Sequence, residues 1–539
     1  MQHKIYNKVV LVVLDGFGIA SYSRGNAVAL AHPEAIDFMI AKYRAIALQA
    51  AGPLVGLPWG EMGNSEVGHL NIGAGRIVGQ DLPRITKAIQ DKTFFKNGAF
   101  IKAAQHAKEH HSRVHIMGMV SPGGVHSLDE HLFALLETMR QQGVSEVFIH
   151  MFTDGRDTAE KVALDSVNKL RAQIAQIGIG TIASVTGRFY AMDRAKHWDQ
   201  IKLTYDALVH GKGVTATSAE EAILNQYHQS VYDEMIPPTV ITTADGQPVA
   251  TIGDNDTVIY FNFRSDRALQ LTEAFVKPDM TGIEPAYAPP ANLCFVTMTE
   301  YFFGLPVEVA FPAVNLDNNL AEVVSKHGLK QFHTAETEKF AHVTSFFNGG
   351  RSDPYPGEER VIVKSPSDNK KNYSDHPEMS GGQVTDLIVD KVLDSNVNLI
   401  VANYANCDMV GHTGNLAAAV QAVQAIDQFL ARIMQAVLQV DAVLLITADH
   451  GNVEKMLNPK TGEIDKDHTT SPVPLIVVAN EFAREQQANY NYLWLSSLVP
   501  EGVVSDIAPT ILALMGLPQP PEMNGLNLFI NGAFADKDQ

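Results

Sequence analysis

Short runs of apolar, mostly β-branched residues alternate with amphipathic stretches along the whole chain. This is the pattern of parallel sheets whose strands are covered on both faces and joined by crossover helices. The runs predict strands at Val9 to Leu14, Val114 to Met119, Val147 to Met151, Thr181 to Val185, Val258 to Phe263, Leu399 to Tyr404, Val443 to Thr447 and Leu475 to Ala479. The predicted class is therefore α/β. A helix is predicted to open at Ser127. There Ser127 and Glu130 have capping-box spacing, Leu132, Leu135, Leu136 and Met139 mark one face, and Gly143 can end it. A second is predicted over roughly Ala417 to Val440, and no internal repeat or low-complexity tract interrupts the pattern.

Two stretches read as crossings between domains: the Gly-rich segment from Gly73 to about Pro83 and the Pro-containing segment from about Gly304 to Asn318. They predict a discontinuous domain made of residues 1–77 and 315–539, with residues 78–314 inserted as a second domain. At 539 residues with 45% hydrophobic and 19% charged positions, the composition allows several ordered domains and excludes a disordered or fibrous chain. Sixty acidic against 41 basic residues give a net charge of −19. Such a field disfavours nucleic-acid backbones and anionic lipid surfaces but permits a local basic pocket. Only Cys294 and Cys407 occur, too few for a disulfide framework, and Val9 to Leu14 is too short for a signal or membrane segment. A soluble, cytoplasmic protein is expected.

Candidate chemistry follows the strands. The first runs directly into Asp15, Leu399 to Tyr404 leads to Asp408 and His412 in NYANCDMVGHTG, Val443 to Thr447 leads to Asp449 and His450 in TADHGN, and His468 follows in KDHTTSP. Ligand sites of open α/β sheets lie at the carboxyl ends of strands. Any one of these pairs alone is more often a turn or surface polarity. Together they form a mixed oxygen and imidazole set suited to Mn²⁺ or Zn²⁺ more than to Mg²⁺ or Ca²⁺. In GNSEVGH, Ser65 stands where a helix can begin. An isolated Ser there is usually a cap. The alternative is a nucleophile activated by a divalent metal, with helix amides facing an incoming phosphate. No GxSxG elbow supports acyl transfer.

The middle of the chain contributes His126 in SPGGVHS, Arg156 and Asp157 in TDGRDT, Arg188 and Arg194 in TGRFYAMDR, and Arg264 and Arg267 in NFRSDR. Guanidinium forks match carboxylate and phosphate oxygens, so these arginines can build an anion site. Singly they are more often solvated or ion-paired, and Asp266 can neutralise a neighbour. Asp157 among cations should stay ionised and can accept a substrate hydroxyl proton.

These segments, with VVLVVLDGFG, AETEKFAHVT and DHTTSPVP, together resemble the cofactor-independent phosphoglycerate mutases over almost the whole chain. The resemblance implies an alkaline phosphatase-like parallel-sheet domain bearing an inserted transferase-like α/β domain. It implies two divalent metal ions, commonly Mn²⁺, with Asp408, His412 and His468 holding one and Asp15, Ser65, Asp449 and His450 the other. It further implies that His126, Arg156, Asp157, Arg188, Arg194, Arg264, Arg267 and Lys339 contact phosphoglycerate, and that Ser65 is transiently phosphorylated. Cys407, where the family commonly has Pro, adds a thiol beside Asp408.

The activity so implied is interconversion of 3-phosphoglycerate and 2-phosphoglycerate without added bisphosphoglycerate, in a cytoplasmic monomer with no nucleic-acid or membrane partner. Ser65 and Lys339 would serve phosphoryl transfer, and Asp157 would relay a proton while the glycerate is retained and water is excluded. Two alternatives remain: a metal-dependent phosphatase of the same fold, which would release free phosphate, and a non-enzymatic metal-binding protein, which would need neither Ser65 nor Asp157.

Overall fold

The computed structural model describes residues 4–277, 288–366 and 373–530. In chain order the strands begin with β1 (Val9–Leu14) and β2 (Arg44–Gln49). Eight follow in the middle: β3 (Val114–Met119), β4 (Val147–Thr153), β5 (Thr181–Gly187), β6 (Val214–Ala216), β7 (Thr239–Ile241), β8 (Thr257–Tyr260), β9 (Cys294–Thr299) and β10 (Glu308–Phe311). The last six are β11 (Gln331–Glu336), β12 (Glu358–Val363), β13 (Leu399–Tyr404), β14 (Val443–Thr447), β15 (Val473–Val478) and β16 (Gly502–Val503).

The chain forms two compact units, Met1–Gly79 with Val314–Gln539, and Gln80–Ala313. In the first, one sheet has the order β12-β11-β13-β1-β14-β15-β2-β16. Its centre is parallel, with β1 between β13 and β14, and only β15 runs against its neighbours. Strands β1, β13 and β14 are buried at every position, which explains why they read as unbroken apolar runs. The carboxyl ends of these strands and the beginning of antiparallel β15 consequently face the same edge of the sheet. That edge receives Asp15, Asp408, Asp449 and His468.

The second unit carries a sheet of order β10-β9-β8-β3-β4-β5-β7-β6, parallel except between β5 and β7. Register shifts by one residue between β4 and β5: Ile149 faces Ile182, whereas His150 faces Ser184. Ala183 is thus an extra residue in β5.

The helix predicted at Ser127 spans Asp129–Gln141, and its flanking residue is Leu128, with no side-chain cap. Ser127 Oγ instead donates to the Met119 carbonyl, so the capping-box spacing is not used. Gly143 does adopt the left-handed conformation after the helix, at φ +73°. The long helix spans Leu416–Gln439, capped by Asn415. Strand β8 ends at Tyr260, short of the predicted Phe263, and β15 starts at Val473, two residues earlier than predicted.

Candidate active site

In the first unit, Ser65 opens the helix Ser65–Ala74, but the cap is its predecessor: Val67 N–H donates to Asn64 Oδ1 at 2.9 Å. The Ser65 hydroxyl is therefore released from capping. It donates to Asp15 Oδ1 at 3.0 Å, lies 2.9 Å from His450 Nε2, and accepts from Lys339 Nζ at 2.7 Å. Lys339 also donates to Asp15 Oδ1 at 2.6 Å and Asp408 Oδ2 at 2.7 Å. All these groups are buried. Backbone packing requires two glycines here. Gly16 has φ +75°, and a Cβ on it would stand 2.9 Å from the Asp408 backbone; a Cβ on Gly68 would meet Asp449 Cβ at 2.6 Å.

Three histidines are oriented alike. His412 Nδ1 donates to the Lys466 carbonyl at 2.8 Å, His468 Nδ1 to the Gly63 carbonyl at 2.9 Å and His450 Nδ1 to the Gly451 carbonyl at 3.2 Å. Each backbone acceptor fixes the proton on Nδ1 and turns Nε2 toward the carboxylates. His412 and His468 present Nε2 to Asp408 Oδ1 at 3.2 and 3.1 Å, and His450 presents it to Asp15 Oδ1 at 3.4 Å. The His450 and His468 rings stack at 3.9 Å.

The electrostatics are those of a buried anion cluster. Burial opposes ionisation of Asp15 and Asp408, but Lys339 and then the histidine hydrogen bonds hold both carboxyls well below the usual range. Burial likewise opposes the Lys339 cation, and Asp15, Asp408 and Asp449 outweigh it, raising the ammonium above its ordinary value. For His450, burial is outweighed by Asp449 and Asp15, which push it up to about 9.

This donor set fits divalent metal. Asp408, His412 and His468 form one group, and Asp15, Asp408 and His450 another, with ligand atoms within 4.8 Å of one another in each. Asp449 Oδ2 is buried with no hydrogen-bond donor, an acceptor suited to a cation. His69 also falls near Asp15 and Asp449, but both its nitrogens are engaged. Nδ1 reaches the Ser65 carbonyl at 2.8 Å and Nε2 accepts from Asn403, which also donates to Asp15 Oδ2 at 2.7 Å. His69 and Asn403 buttress Ser65 and Asp15. Neither was singled out from the sequence, although His69 stands four residues after Ser65 on the same helix face.

In the second unit the hub is Asp154, which sequence reading passed over in favour of its neighbours. Its carboxylate accepts from Arg188 at 2.6 Å, from Ser121 at 2.7 Å and from the backbone N–H groups of Arg156 and Asp157. Arg188, itself buried, also donates to Asp157 Oδ2 at 2.6 Å and to His126 Nε2 at 3.0 Å. Asp266 accepts from Arg194 at 2.8 Å and Arg264 at 2.9 Å, so it does neutralise neighbours. Arg267 donates to the Met192 carbonyl at 3.1 Å, and Arg156 extends to Glu234 at 3.4 Å.

Cations remain crowded despite these pairs. Burial and then Arg188, Arg194 and Arg156 lower Arg267 from the ordinary guanidinium value. Burial, Arg188 and Arg264 push His126 down to about 4, so its ring is neutral at pH 7. With Nε2 accepting from Arg188, the proton resides on Nδ1, which is buried without a partner.

Comparison with known proteins gives these two clusters a context. The 2,3-bisphosphoglycerate-independent phosphoglycerate mutase of Thermomicrobium roseum is 49% identical over 522 residues, covering 97% of this chain and 98% of the relative. The chain belongs to this mutase family. The enzyme of the same description from Clostridium novyi is 48% identical over 97% of the chain and 99% of the relative. The family model described as BPG-independent PGAM N-terminus matches residues 85–302. Among solved structures, phosphoglycerate mutase from Leishmania mexicana, crystallised at low cobalt concentration, matches 98% of both chains with 28% identity and a TM-score of 0.61. Membership in this isomerase family accords with a metal-dependent site and independence of bisphosphoglycerate.

Within the mutase framework Cys407 is not a reactive neighbour of the site. It is fully buried, and burial followed by Asp408 and Asp15 pushes its thiol well above the ordinary range. Among the described residues, no helix is long and apolar enough to cross a membrane.

Proposed function

We propose that the protein interconverts 3-phosphoglycerate and 2-phosphoglycerate through a phosphoserine at Ser65. The observation that carries this reading is the placement of Ser65 Oγ between Asp15, Lys339 and His450 at the first residue of a helix. A structural cap has no use for that arrangement.

Asp408, His412 and His468 would hold one divalent ion, and Asp15, Ser65, Asp449 and His450 the other. Mn²⁺ is the proposed metal, a reading supported by the mixed carboxylate and imidazole donors. When bound, such ions lower the pKa of a coordinated hydroxyl and offset charge on a transferring phosphoryl group.

The chain's own residues do the rest. Ser65 Oγ, its proton released to solvent, forms a bond to phosphorus as the bond from phosphorus to the glycerate oxygen breaks, with Lys339 neutralising charge on the phosphoryl oxygens. The arginines of the second unit retain the glycerate carboxylate, Arg188 anchored by Asp154 and the unpartnered His126 Nδ1–H offered to a substrate oxygen. Asp157 takes the proton of the hydroxyl that attacks next and returns one to the oxygen that has just departed. Phosphoserine then gives up its phosphoryl group to that second oxygen, and Ser65 recovers its proton.

In this reading the discontinuous unit is the phosphatase-like metal-binding domain and the inserted unit the substrate domain of a cytoplasmic monomer. The test is an isomerisation assay on purified protein with Mn²⁺ and no bisphosphate, with a chelator control. Isomer formation that a chelator abolishes is expected, and release of free phosphate in its place would refute the reading.

A further inference from the structure

Inside the second unit a buried polar chain crosses β3, β4, β5 and the start of β8, away from the arginines. His150 Nδ1 lies 2.8 Å from Ser184 Oγ, His150 Nε2 lies 3.0 Å from His115 Nδ1, and His115 Nε2 lies 3.2 Å from Asp256 Oδ2. All four residues are buried. The carboxylate can only accept, so His115 Nε2 carries a proton and its Nδ1 accepts. His150 Nε2–H therefore donates to it, and His150 Nδ1 accepts from the Ser184 hydroxyl. One assignment of protons satisfies every bond with both rings neutral.

The end of this chain falls on the irregularity in the sheet. Residues 148 and 149 of β4 face 181 and 182 of β5, and from His150 onward the pairing is displaced by one, His150 facing Ser184 and Thr153 facing Gly187. Carried past the strand ends, the displaced register sets Asp154 opposite Arg188, whose 2.6 Å ion pair is the hub of the arginine cluster. In the undisplaced register Asp154 would face Gly187, and His150 would face Ala183, which offers no hydroxyl. Bulges next to functional sites re-aim side chains in this manner.

We infer that Ser184 and His150, held in turn by His115 and Asp256, are positioning residues that lock the Ala183 bulge and so aim Arg188 at the substrate carboxylate. The inference rests on the reading of Arg188 as a substrate-binding residue.

The test is steady-state kinetics on full-length Ser184→Ala, Arg188→Ala and the double variant, with folding checked by circular dichroism. Loss of the lock should raise KM for 3-phosphoglycerate about five- to twentyfold while kcat changes less than about twofold. In the Arg188→Ala background Ser184→Ala should change kcat/KM less than about twofold, because it acts through the arginine already removed. Should Ser184→Ala fail to fold, His115→Asn, which cuts the chain one bond farther from the bulge, carries the same comparison. An unchanged KM, or a loss that multiplies in full with that of Arg188→Ala, overturns the inference while leaving Arg188 in its role. An Arg188→Ala enzyme with wild-type kinetics removes both.

Discussion

The ammonium nitrogen of Lys339 lies 2.7 Å from the hydroxyl oxygen of Ser65, and the same nitrogen donates to Asp15 and Asp408. One buried cation thus touches the proposed nucleophile and two proposed metal ligands. Lys339→Met keeps most of the unbranched side chain and removes the charge. Catalysis should fall ~10²- to 10³-fold, the scale of a lost transition-state donor. Leaving buried carboxylates unpaired costs about 3–5 kcal/mol, so the variant's melting temperature should drop sharply in chelator and recover in part with Mn²⁺. Calorimetry with and without metal checks this; equal losses in both conditions would contradict it.

Asp157 and Asp154 share Arg188 but should fail differently. Asp157→Asn cannot accept a proton, so kcat should fall ~10²- to 10⁴-fold, while Asp154 continues to anchor Arg188. Asp154→Asn loosens the anchor of Arg188 and the turn at Arg156 and Asp157, and should chiefly raise KM. Parallel kinetics on the two variants separate these effects, and identical kinetic signatures would argue against the division of roles.

Acid should destabilise the second unit through its buried histidines. Burial pushes His131 down to about 4, and burial also lowers His115 and His150. A histidine depressed on folding contributes stability that is fully present above its unfolded value of about 6.5 and is lost as pH falls toward its folded value. His131 alone accounts for about 3 kcal/mol at pH 4. Urea midpoints measured at pH 7, 5.5 and 4.5 should decline, and His131→Gln should flatten the decline. A midpoint independent of pH over this range would contradict the assignment.

Cys407 should be silent toward thiol reagents. With both cysteines buried and their thiols raised by burial, the native protein should release almost no chromophore with Ellman's reagent, and two equivalents should appear in denaturant. Rapid loss of activity on labelling native protein would place an accessible thiol at the site.

The central strands were legible because burial on both faces writes an uninterrupted apolar run, as in β1, β13 and β14. Strand β11 was not, because its buried residues include Gln331, His333, Thr334 and Glu336, and buried polar side chains break up the apolar run that marks an interior strand. The edge strand β12, with two glutamates and an arginine, hides for a related reason. At the site, Asp15, Asp408 and Asp449 announce themselves by standing within four residues of the ends of such runs. Asp154 did not, since nothing in TDGRDT distinguishes a carboxylate that gathers four donors from one that faces substrate. The cap role that spacing assigned to Ser127 failed because the helix begins after Leu128 and the Ser127 hydroxyl is turned to the Met119 carbonyl instead. Asn64, by capping its own helix, is what leaves Ser65 free.

The account stands on Ser65 as phosphoryl acceptor. Enzyme mixed with 3-phosphoglycerate in saturating Mn²⁺, quenched in acid and digested, should yield a phosphoryl adduct on the Ser65 peptide by mass spectrometry, and Ser65→Ala should give neither adduct nor isomerisation while still binding phosphoglycerate. Robust isomerisation by Ser65→Ala at saturating metal would contradict the account.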